Sequence, residues 1–359
     1  MQRMAKMEIT TNIACRVQCD FCPQELLIEK YSTRNNLENI SYGQPTQMSF
    51  DTFKNCLDKI PKSVIIVFAG YSEPWLNPDC SKMIVHAYEN GYTVDVFTTL
   101  VGMKLSDVEL IKHIKFNAFH LHLPDEKNIA KIAVNNNYLD VIKKVLDNIK
   151  PKVTGMSMGN VHPKIKKILN VDILPDKMDN VAGNLDFLEP NPKQLGPLVC
   201  GRMTKLDLLD IVDENVLLPN GDVALCGQDY GLQNIIGNLL ELSYNSLFTN
   251  DKYLEFHKKL KSKDDNLICR FCVEAIPQSE LTNKQQLKLD MKNNLNSKVT
   301  NQLIELYQDC LSRFPDMAGY NYFYDKLTNN EISILDVKHM IEQSPEYKSL
   351  NPPVLHRMK

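Results

Sequence analysis

Three cysteines, Cys15, Cys19 and Cys22, stand in the stretch Cys15-Arg16-Val17-Gln18-Cys19-Asp20-Phe21-Cys22-Pro23. With 10 cysteines in 359 residues, chance placement gives about 0.008 such triplets per chain, so the spacing points to ligation. Three thiolates can hold three irons of a four-iron cluster and leave the fourth iron open to another ligand. A tetrahedral zinc site needs a fourth protein ligand, and no His or Cys follows closely after Pro23. A second set, Cys200, Cys226, Cys269 and Cys272, supplies four thiolates, the last two as Cys269-Arg270-Phe271-Cys272. Four cysteines suit a zinc ribbon or an iron–sulfur cluster, and the spacing leaves both open. Cys56, Cys80 and Cys310 stand alone in helical patterns and read as small buried hydrophobes.

Other residues could serve a small ligand. Phe68-Ala69-Gly70-Tyr71-Ser72-Glu73-Pro74 follows a β-rich run; its glycine lets backbone come close, and its carboxylate can accept from an ammonium group. An ordinary turn is the plain alternative. Thr98 and Thr99 end another such run, and His120 and His122 sit one strand period apart, on a shared face. Packed or rim histidines would look the same.

The elements that must position these groups alternate. Met7–Ile13, Val64–Gly70, Thr93–Thr99, Ala118–Leu123 and Lys152–Met158 read as strands, with a sixth near Val171–Leu174. Between them, Asp51–Ile60, Asp79–Asn90, Ser106–Ile114 and Tyr138–Ile149 read as helices. Ser106 with Glu109 suggests a capping box, and Gly91 a helix stop. Strand–helix repetition predicts parallel strands, with chemistry in the loops at their carboxyl ends. Past Pro190 the alternation stops. Asn215–Leu218 and Val223–Cys226 flank Pro219-Asn220-Gly221-Asp222, a hairpin signal. A helix is expected from Ser243 through Lys259. Gln278–Ser297 is polar and suits a connector or solvated helix, and Thr300–Leu350 reads as helical, with a capping box at Ser333 and Asp336.

The first cysteine loop resembles the radical S-adenosylmethionine (SAM) superfamily, whose signature is CxxxCxxC with an aromatic residue before the last cysteine. The resemblance implies that Cys15, Cys19 and Cys22 hold a 4Fe-4S cluster whose open iron is chelated by SAM, and that Phe21 packs near the adenine. It implies reductive cleavage of SAM to a 5′-deoxyadenosyl radical. Gly70, Ser72, Glu73 and Pro74 resemble the family's GGEP-type segment, with Ser72 where a second glycine is common; the segment binds the SAM amino group. Thr98 and His122 occupy strand ends that touch SAM or substrate in the family. Asn180-Val181-Ala182-Gly183-Asn184 resembles a Ser-Arg-Ala-Gly-Asn stretch, with Val181 in place of the arginine. The Gly221-x4-Cys226 hairpin, the Ile236-Gly237-Asn238-Leu239 stretch, a helix and the CxxC resemble the SPASM domain. That likeness implies one auxiliary 4Fe-4S cluster on Cys200, Cys226, Cys269 and Cys272. Residues 306–320 and 344–347 resemble a small helical domain of unknown function.

The resemblance therefore implies an α/β protein: a partial (β/α)6 barrel over 1–195, a small α+β SPASM-like domain over 196–280 and an all-helical domain over 281–359. The expected activity is that of a radical SAM oxidoreductase or transferase, acting on a peptide or a small polar substrate such as a sugar derivative. The auxiliary cluster would pass electrons, and a flavodoxin- or ferredoxin-type reductant would supply the first. Epimerisation would need a hydrogen-atom donor, for which Cys80 is the nearest unassigned thiol. A SAM- and cluster-binding regulatory or scaffolding protein is the alternative from another class. A zinc-stabilised nucleic-acid module fits poorly with a net charge of −3 and no aromatic–basic cluster. Hydrophobic residues at 43% and charged residues at 24% suit a water-soluble chain, and no apolar run reaches the roughly 20 residues of a membrane span. A cytoplasmic location without membrane or nucleic-acid partners follows as the expectation, with cysteines kept for metal rather than disulfides.

Overall fold

Ile65-Ile66-Val67-Phe68 is β-branched and aromatic without a polar break, the pattern of a strand covered on both faces. All four side chains are buried. Around this strand the computed structural model builds an α/β unit; it describes residues 4–149, 153–175, 180–185, 188, 191–206, 209–262, 266–280, 298–311 and 317–350.

The chain opens with β1 (Lys6–Ile9) and the short β2 (Asn12–Ile13), which pairs antiparallel with β3 (Thr46–Gln47). Between β2 and β3 lies α1 (Gln24–Asn35). The repeat then runs α2 (Phe50–Leu57), β4 (Ile65–Phe68), α3 (Cys80–Glu89), β5 (Val94–Thr98), α4 (Leu105–Ile111), β6 (Ala118–His122), α5 (Asn136–Asn148), β7 (Val153–Ser157), the one-turn α6 (Pro163–Lys166) and β8 (Ile173–Pro175). Strands β1, β4, β5, β6, β7 and β8 lie side by side in that order, all parallel. Ile9 pairs with Phe68, Phe68 with Val96, and Thr98 with Leu121. The carboxyl ends are thus in step, and the loops that leave them share one edge of the sheet. This is the mostly parallel α/β sheet that the alternation predicts.

Helix α1 has no counterpart among the expected elements, because it is polar and buries only the narrow stripe Gln24, Leu27 and Tyr31. Helix α3 ends as expected: Gly91 has φ +82°, and its N–H and that of Tyr92 close on Tyr88 and Ala87. The expected cap at Ser106 is corrected. Helix α4 starts one residue earlier, with the Asp107 carboxylate accepting from the Lys104 N–H at 2.7 Å. Glu109 instead pairs with Lys112 and Lys144, both at 2.6 Å.

After β8 come β9 (Leu198–Cys200), β10 (Met203–Leu206), β11 (Leu209–Val212), β12 (Glu214–Leu217), β13 (Asp222–Ala224) and β14 (Ile235–Asn238). The hairpin is present: β12 and β13 pair antiparallel around Gly221, at φ +87°. Its placement is what the sequence did not show. Strand β12 also pairs in parallel with β1, Met7 opposite Asn215 and Ile9 opposite Leu217. The hairpin and β14 therefore extend the same sheet to nine strands.

The helix expected from Ser243 is split. Asn245–Phe248 is a 3-10 turn, and α7 (Asp251–Lys261) begins anew. The Asn250 carboxamide oxygen accepts from the Tyr253 N–H at 3.0 Å while its Nδ2 donates to the Ile236 carbonyl at 2.7 Å. One side chain both caps the helix and ties it to β14. Strand β15 (Ala275–Pro277) pairs antiparallel with β9, setting Ala275 opposite Cys200.

The chain divides into two compact units, 1–277 and 278–359; the boundary expected at 195/196 falls within the first. The second unit has helices Lys298–Leu311, Met317–Thr328, Ile334–Gln343 and Pro345–Leu350, with a core that includes Leu303, Tyr307, Phe323, Val337 and Ile341. Ser333 and Asp336 form the expected capping box. The start of the polar stretch, Gln278–Glu280, is a 3-10 turn, and 281–297 lies outside the described residues, as does Lys152 at the expected start of β7. No helix among the described residues is long and apolar enough to cross a membrane.

Candidate functional site

The chain leaving β1 turns sharply. Ala14 and Gln18 adopt positive φ, +73° and +57°, which curls the cysteine loop over the carboxyl edge of the sheet. Gln24, at the start of α1, holds the curl. Its Oε1 accepts from the Cys15 N–H at 3.1 Å, and its Nε2 donates to Cys22 Sγ at 3.5 Å and to the Tyr71 carbonyl. The Glu73 N–H donates to Cys15 Sγ at 3.4 Å, and the Cys19 thiol to the Ala130 carbonyl at 3.2 Å. Cys15, Cys19 and Cys22 line one pocket together with Gly70, Ser72 and Glu73. Burial pushes the Cys15 thiol up to about 12 and raises those of Cys19 and Cys22 as well. After burial, the charges of Cys22 and Cys15 are the next influences on Cys19.

The loop after β4 is built on close approach. Gly70 has φ +71°, and a Cβ there would stand 2.3 Å from Thr10 Oγ1, so only glycine fits. Thr10 Oγ1 in turn accepts from the Tyr71 N–H at 3.1 Å. Asn12 pins the same loop, donating through Nδ2 to Ser72 Oγ at 3.3 Å and to the Glu73 carbonyl at 3.1 Å. Pro74 opens a 3-10 turn, and its carbonyl accepts from Thr11 Oγ1 at 3.0 Å.

Glu73, only 4% exposed, makes contacts that the sequence did not indicate. Its Oε1 accepts from Thr98 Oγ1 at 2.7 Å and from the Trp75 N–H at 3.2 Å. Its Oε2 accepts from the Thr99 N–H at 2.6 Å and Thr99 Oγ1 at 2.7 Å. Four donors fill the roughly four lone-pair sites of a carboxylate. Glu73 thus clamps the end of β4 to the end of β5. Burial raises its carboxyl above the ordinary value, and the donors from Thr99, Thr98 and Trp75 pull it back.

Most of the remaining expected residues converge here. Phe21 stacks on His122, centroids 5.1 Å apart and planes 7° from parallel, and both line the pocket with Thr98. His120 lines it too and packs on Phe97 at 4.2 Å. Met156 and Tyr230 complete the wall and were not anticipated. Cys80 packs as the small buried hydrophobe its setting suggested, away from the place a hydrogen donor to the pocket would have to take. It is fully buried at the start of α3 and is absent from the lining, because a small apolar side chain at that turn packs into the core. Burial, then the nearby Glu73 and Asp107 charges, raise its thiol well above the usual range. The Asn180–Asn184 segment forms a turn with Val181, Ala182 and Gly183 at positive φ. Asn184 Nδ2 donates to the Gln228 carbonyl at 3.0 Å, which places this turn against the later segment.

The second cysteine set is assembled by long-range pairing. Cys200 ends β9, Cys226 follows β13, and Cys269 and Cys272 lie at the 3-10 turn Ile268–Phe271. Gly201 permits the approach: its N–H donates to the Glu274 carbonyl at 2.7 Å, where a Cβ would stand 2.8 Å from that same oxygen. Arg270, 1% exposed, anchors the turn by donating to the carbonyls of Gln194, Gly196 and Ser262. The thiols lie close enough to act on one another. Burial raises Cys269, and the charges of Cys200 and Cys272 add to it. Cys226 is raised by burial, then by Asp229, Cys269 and, more weakly, Cys200. Burial likewise pushes Cys200 up to about 11. All ten cysteines are free thiols.

Among the described residues, no group of three or more His, Cys, Asp or Glu side chains is drawn in around a single metal-ion position. The first pocket does offer what an iron–sulfur cluster asks of a protein. It has three soft sulfur donors, N–H groups aimed at the sulfurs of Cys15 and Cys22, and a wall that includes Val17, Phe21 and Phe97. Gly70, packed against Thr10, brings its loop into the same lining as the three sulfurs.

Arg270, Gln24, Asn12 and Tyr230 were missed from sequence. Only Gln24 carried a signal, as a polar residue at the head of the 24, 27, 31 stripe.

No protein-family model matches the chain, and no curated protein matches it. Among solved structures it is similar to BtrN in complex with AdoMet and 2-DOIA, at 17% identity over 79% of this chain and 98% of that one, TM-score 0.48. It is similar to native anSMEcpe with bound AdoMet and Cp18Cys peptide, at 12% identity over 75% of this chain and 86% of that one, TM-score 0.45. A third is Streptococcus suis SuiB bound to precursor peptide SuiA, at 12% identity over 76% and 71% of the two chains, TM-score 0.41.

Proposed function

We propose that this chain is a radical SAM enzyme. The observation that carries the reading is the shared pocket. Cys15, Cys19 and Cys22 meet the Gly70–Glu73 loop, Thr98 and His122 at the carboxyl edge of a parallel sheet. Strand spacing alone would not bring a three-thiol loop and a glycine-cradled loop to one cavity; the order β1-β4-β5-β6 does.

In this reading the three cysteines hold a 4Fe-4S cluster, and Gly70, Ser72, Glu73, Thr98 and His122 surround SAM, with Pro74 closing the loop behind them and Phe21 beside the adenine. The cluster, when bound, supplies the electron that cleaves SAM to a 5′-deoxyadenosyl radical. The chain's own part is to position and to exclude water. The Glu73 clamp fixes the ends of β4 and β5 relative to each other, Gln24 fixes Cys15 and Cys22, and the Phe21–His122 stack covers one side. A reactive radical demands this dryness and fixed geometry.

Cys200, Cys226, Cys269 and Cys272 are proposed to hold a second 4Fe-4S cluster with all irons ligated by protein, suited to moving electrons rather than binding substrate. The substrate class is a peptide or a small polar molecule such as a sugar derivative. The first electron comes from a flavodoxin- or ferredoxin-type reductant in a reducing, cytoplasmic compartment.

Anaerobic reconstitution with iron and sulfide, reduction, and incubation with SAM test the reading. Full-length protein should hold about eight irons and release 5′-deoxyadenosine. Replacing Cys15, Cys19 and Cys22 together with Ala should leave about half the iron and no release. Iron and SAM bound without any cleavage would favour the regulatory alternative, and stoichiometric zinc at the second set would overturn the auxiliary cluster.

A further inference from the structure

One wall of the pocket comes from a distant part of the chain. Tyr230 lies four residues after Cys226, between β13 and β14, yet its hydroxyl is hydrogen-bonded to Cys22 Sγ at 3.7 Å. The residue is held from several sides. Its ring packs on Tyr71, centroids 4.6 Å apart and planes at 54°. The Tyr71 hydroxyl lies 2.8 Å from the Cys226 carbonyl and 3.2 Å from the Asp229 carbonyl. The buried Asp229 carboxylate accepts from the N–H groups of Gln233 at 3.0 Å and Asn234 at 2.7 Å, which closes the loop on itself. Tyr71 spends its own hydroxyl proton on backbone, so Tyr230 alone of this ring pair faces a sulfur.

With a thiol at Cys22, the S–H is the donor of that bond. A cysteine that ligates iron has lost its proton. A phenol keeps its proton near neutral pH, so the direction reverses and the Tyr230 O–H donates to sulfur. Hydrogen bonds to cluster sulfurs draw electron density from them and are one of the protein's means of setting the reduction potential.

We propose that Tyr230 is a positioning and tuning residue for the group held by Cys15, Cys19 and Cys22, making that group easier to reduce through a hydrogen bond to the Cys22 sulfur. The inference rests on the iron–sulfur reading of the first cysteine loop. The tyrosine sits on the loop that begins at Cys226, a member of the second cysteine set. Four residues of chain and the Tyr71–Tyr230 pair thus join the two cysteine sets.

The test is a potentiometric titration of the reconstituted full chain, followed by electron paramagnetic resonance. The signal that changes on adding SAM identifies the first centre. Tyr230→Phe keeps the ring and removes the donor. Loss of one net hydrogen bond should change the reduction equilibrium about three- to tenfold, a midpoint about 30–60 mV more negative at 59 mV per tenfold. Iron content should stay at the wild-type level, and Tyr92→Phe, which removes a buried hydroxyl bonded to the Leu57 and Ile60 carbonyls away from this pocket, should leave the midpoint unmoved. Should the phenylalanine protein take up less iron, Tyr230→Leu removes the donor without adding a ligating sulfur and is read in the same way. An unchanged midpoint in an iron-replete Tyr230 variant overturns the inference, as does an equal shift in Tyr92→Phe. Absence of any SAM-responsive signal in the wild type would instead overturn the reading of the first cysteine loop, and the tuning role with it.

Discussion

Replacing Glu73 with Gln removes a charge and almost no volume, and the structure says it will not be tolerated as a neutral change. Each carboxylate oxygen of Glu73 faces a backbone N–H, that of Trp75 at Oε1 and that of Thr99 at Oε2. An amide has one acceptor oxygen and one NH2 donor, so in either orientation the NH2 opposes a backbone N–H. The hydroxyls of Thr98 and Thr99 can rotate to accept, whereas a peptide N–H cannot. One buried donor left unsatisfied costs about 1–3 kcal/mol. Glu73→Ala abandons all four donors and opens space between the ends of β4 and β5, for which about 2–4 kcal/mol is expected. With a urea slope of about 3 kcal/mol per M, the midpoint of unfolding should fall by somewhat under 1 M for Gln and by about 1 M for Ala. Urea unfolding of the cluster-free protein at neutral pH, followed by circular dichroism, measures this without any cofactor. Under the proposed function both variants should also bind SAM about tenfold or more weakly, because the loop and Thr98 lose their common tie. Wild-type unfolding midpoints in both variants would refute the clamp and return Glu73 to the role of a free carboxylate in the pocket.

Arg270→Met should release the turn that carries Cys269 and Cys272, since three carbonyl acceptors lose a buried guanidinium, at a cost of about 1–3 kcal/mol for each one left unsatisfied. The reconstituted variant should hold about four irons rather than about eight and keep the SAM-responsive signal; full iron content would contradict the assignment of that turn. Glu8, half-buried on β1, is pushed by burial up to about 7 against the pull of Arg202 and Lys6. A carboxyl raised in the folded state favours its neutral form, so its contribution to stability is complete below its ordinary value of 4.5 and declines as pH rises through about 7. Glu8→Gln should therefore gain on the wild type between pH 5 and 8, by at most about 3 kcal/mol; parallel urea midpoints across that range would exclude it. A chain ending at Pro277 should retain all its iron, because the seven proposed ligands lie in the first compact unit and 278–359 has a core of its own. A soluble truncation that loses iron would show that the helical unit contributes to the metal sites.

Features governed by short spacing are legible in the residues themselves. The alternation of β-branched runs with helical patterns marks the parallel strands, Gly91 and Gly221 mark a helix stop and a hairpin, and the Ser333–Asp336 box marks a helix start. Helix α1 escapes because its buried stripe is only three residues wide and begins with a glutamine. The start of α7 escapes because Asn250 interrupts the pattern by bonding to Ile236 of β14, a partner that no local window contains.

The candidate site divides along the same line. By itself the sequence determined that Cys15, Cys19 and Cys22 share one loop and Cys269 and Cys272 one turn, that Gly70 sits at a turn, and that His120 and His122 share a face, because covalent spacing and the periods of strand and helix fix these. Only the tertiary structure decided that β12 pairs with β1 and carries the later segment into the same sheet. The same is true of the four donors around Glu73 and the arrival of Tyr230 beside Cys22. Each of those contacts depends on which strands are neighbours. Sheet order is set by the burial of whole faces rather than by any short run of residues, so partners such as Cys22 and Tyr230, 208 positions apart, leave no trace in their local sequence.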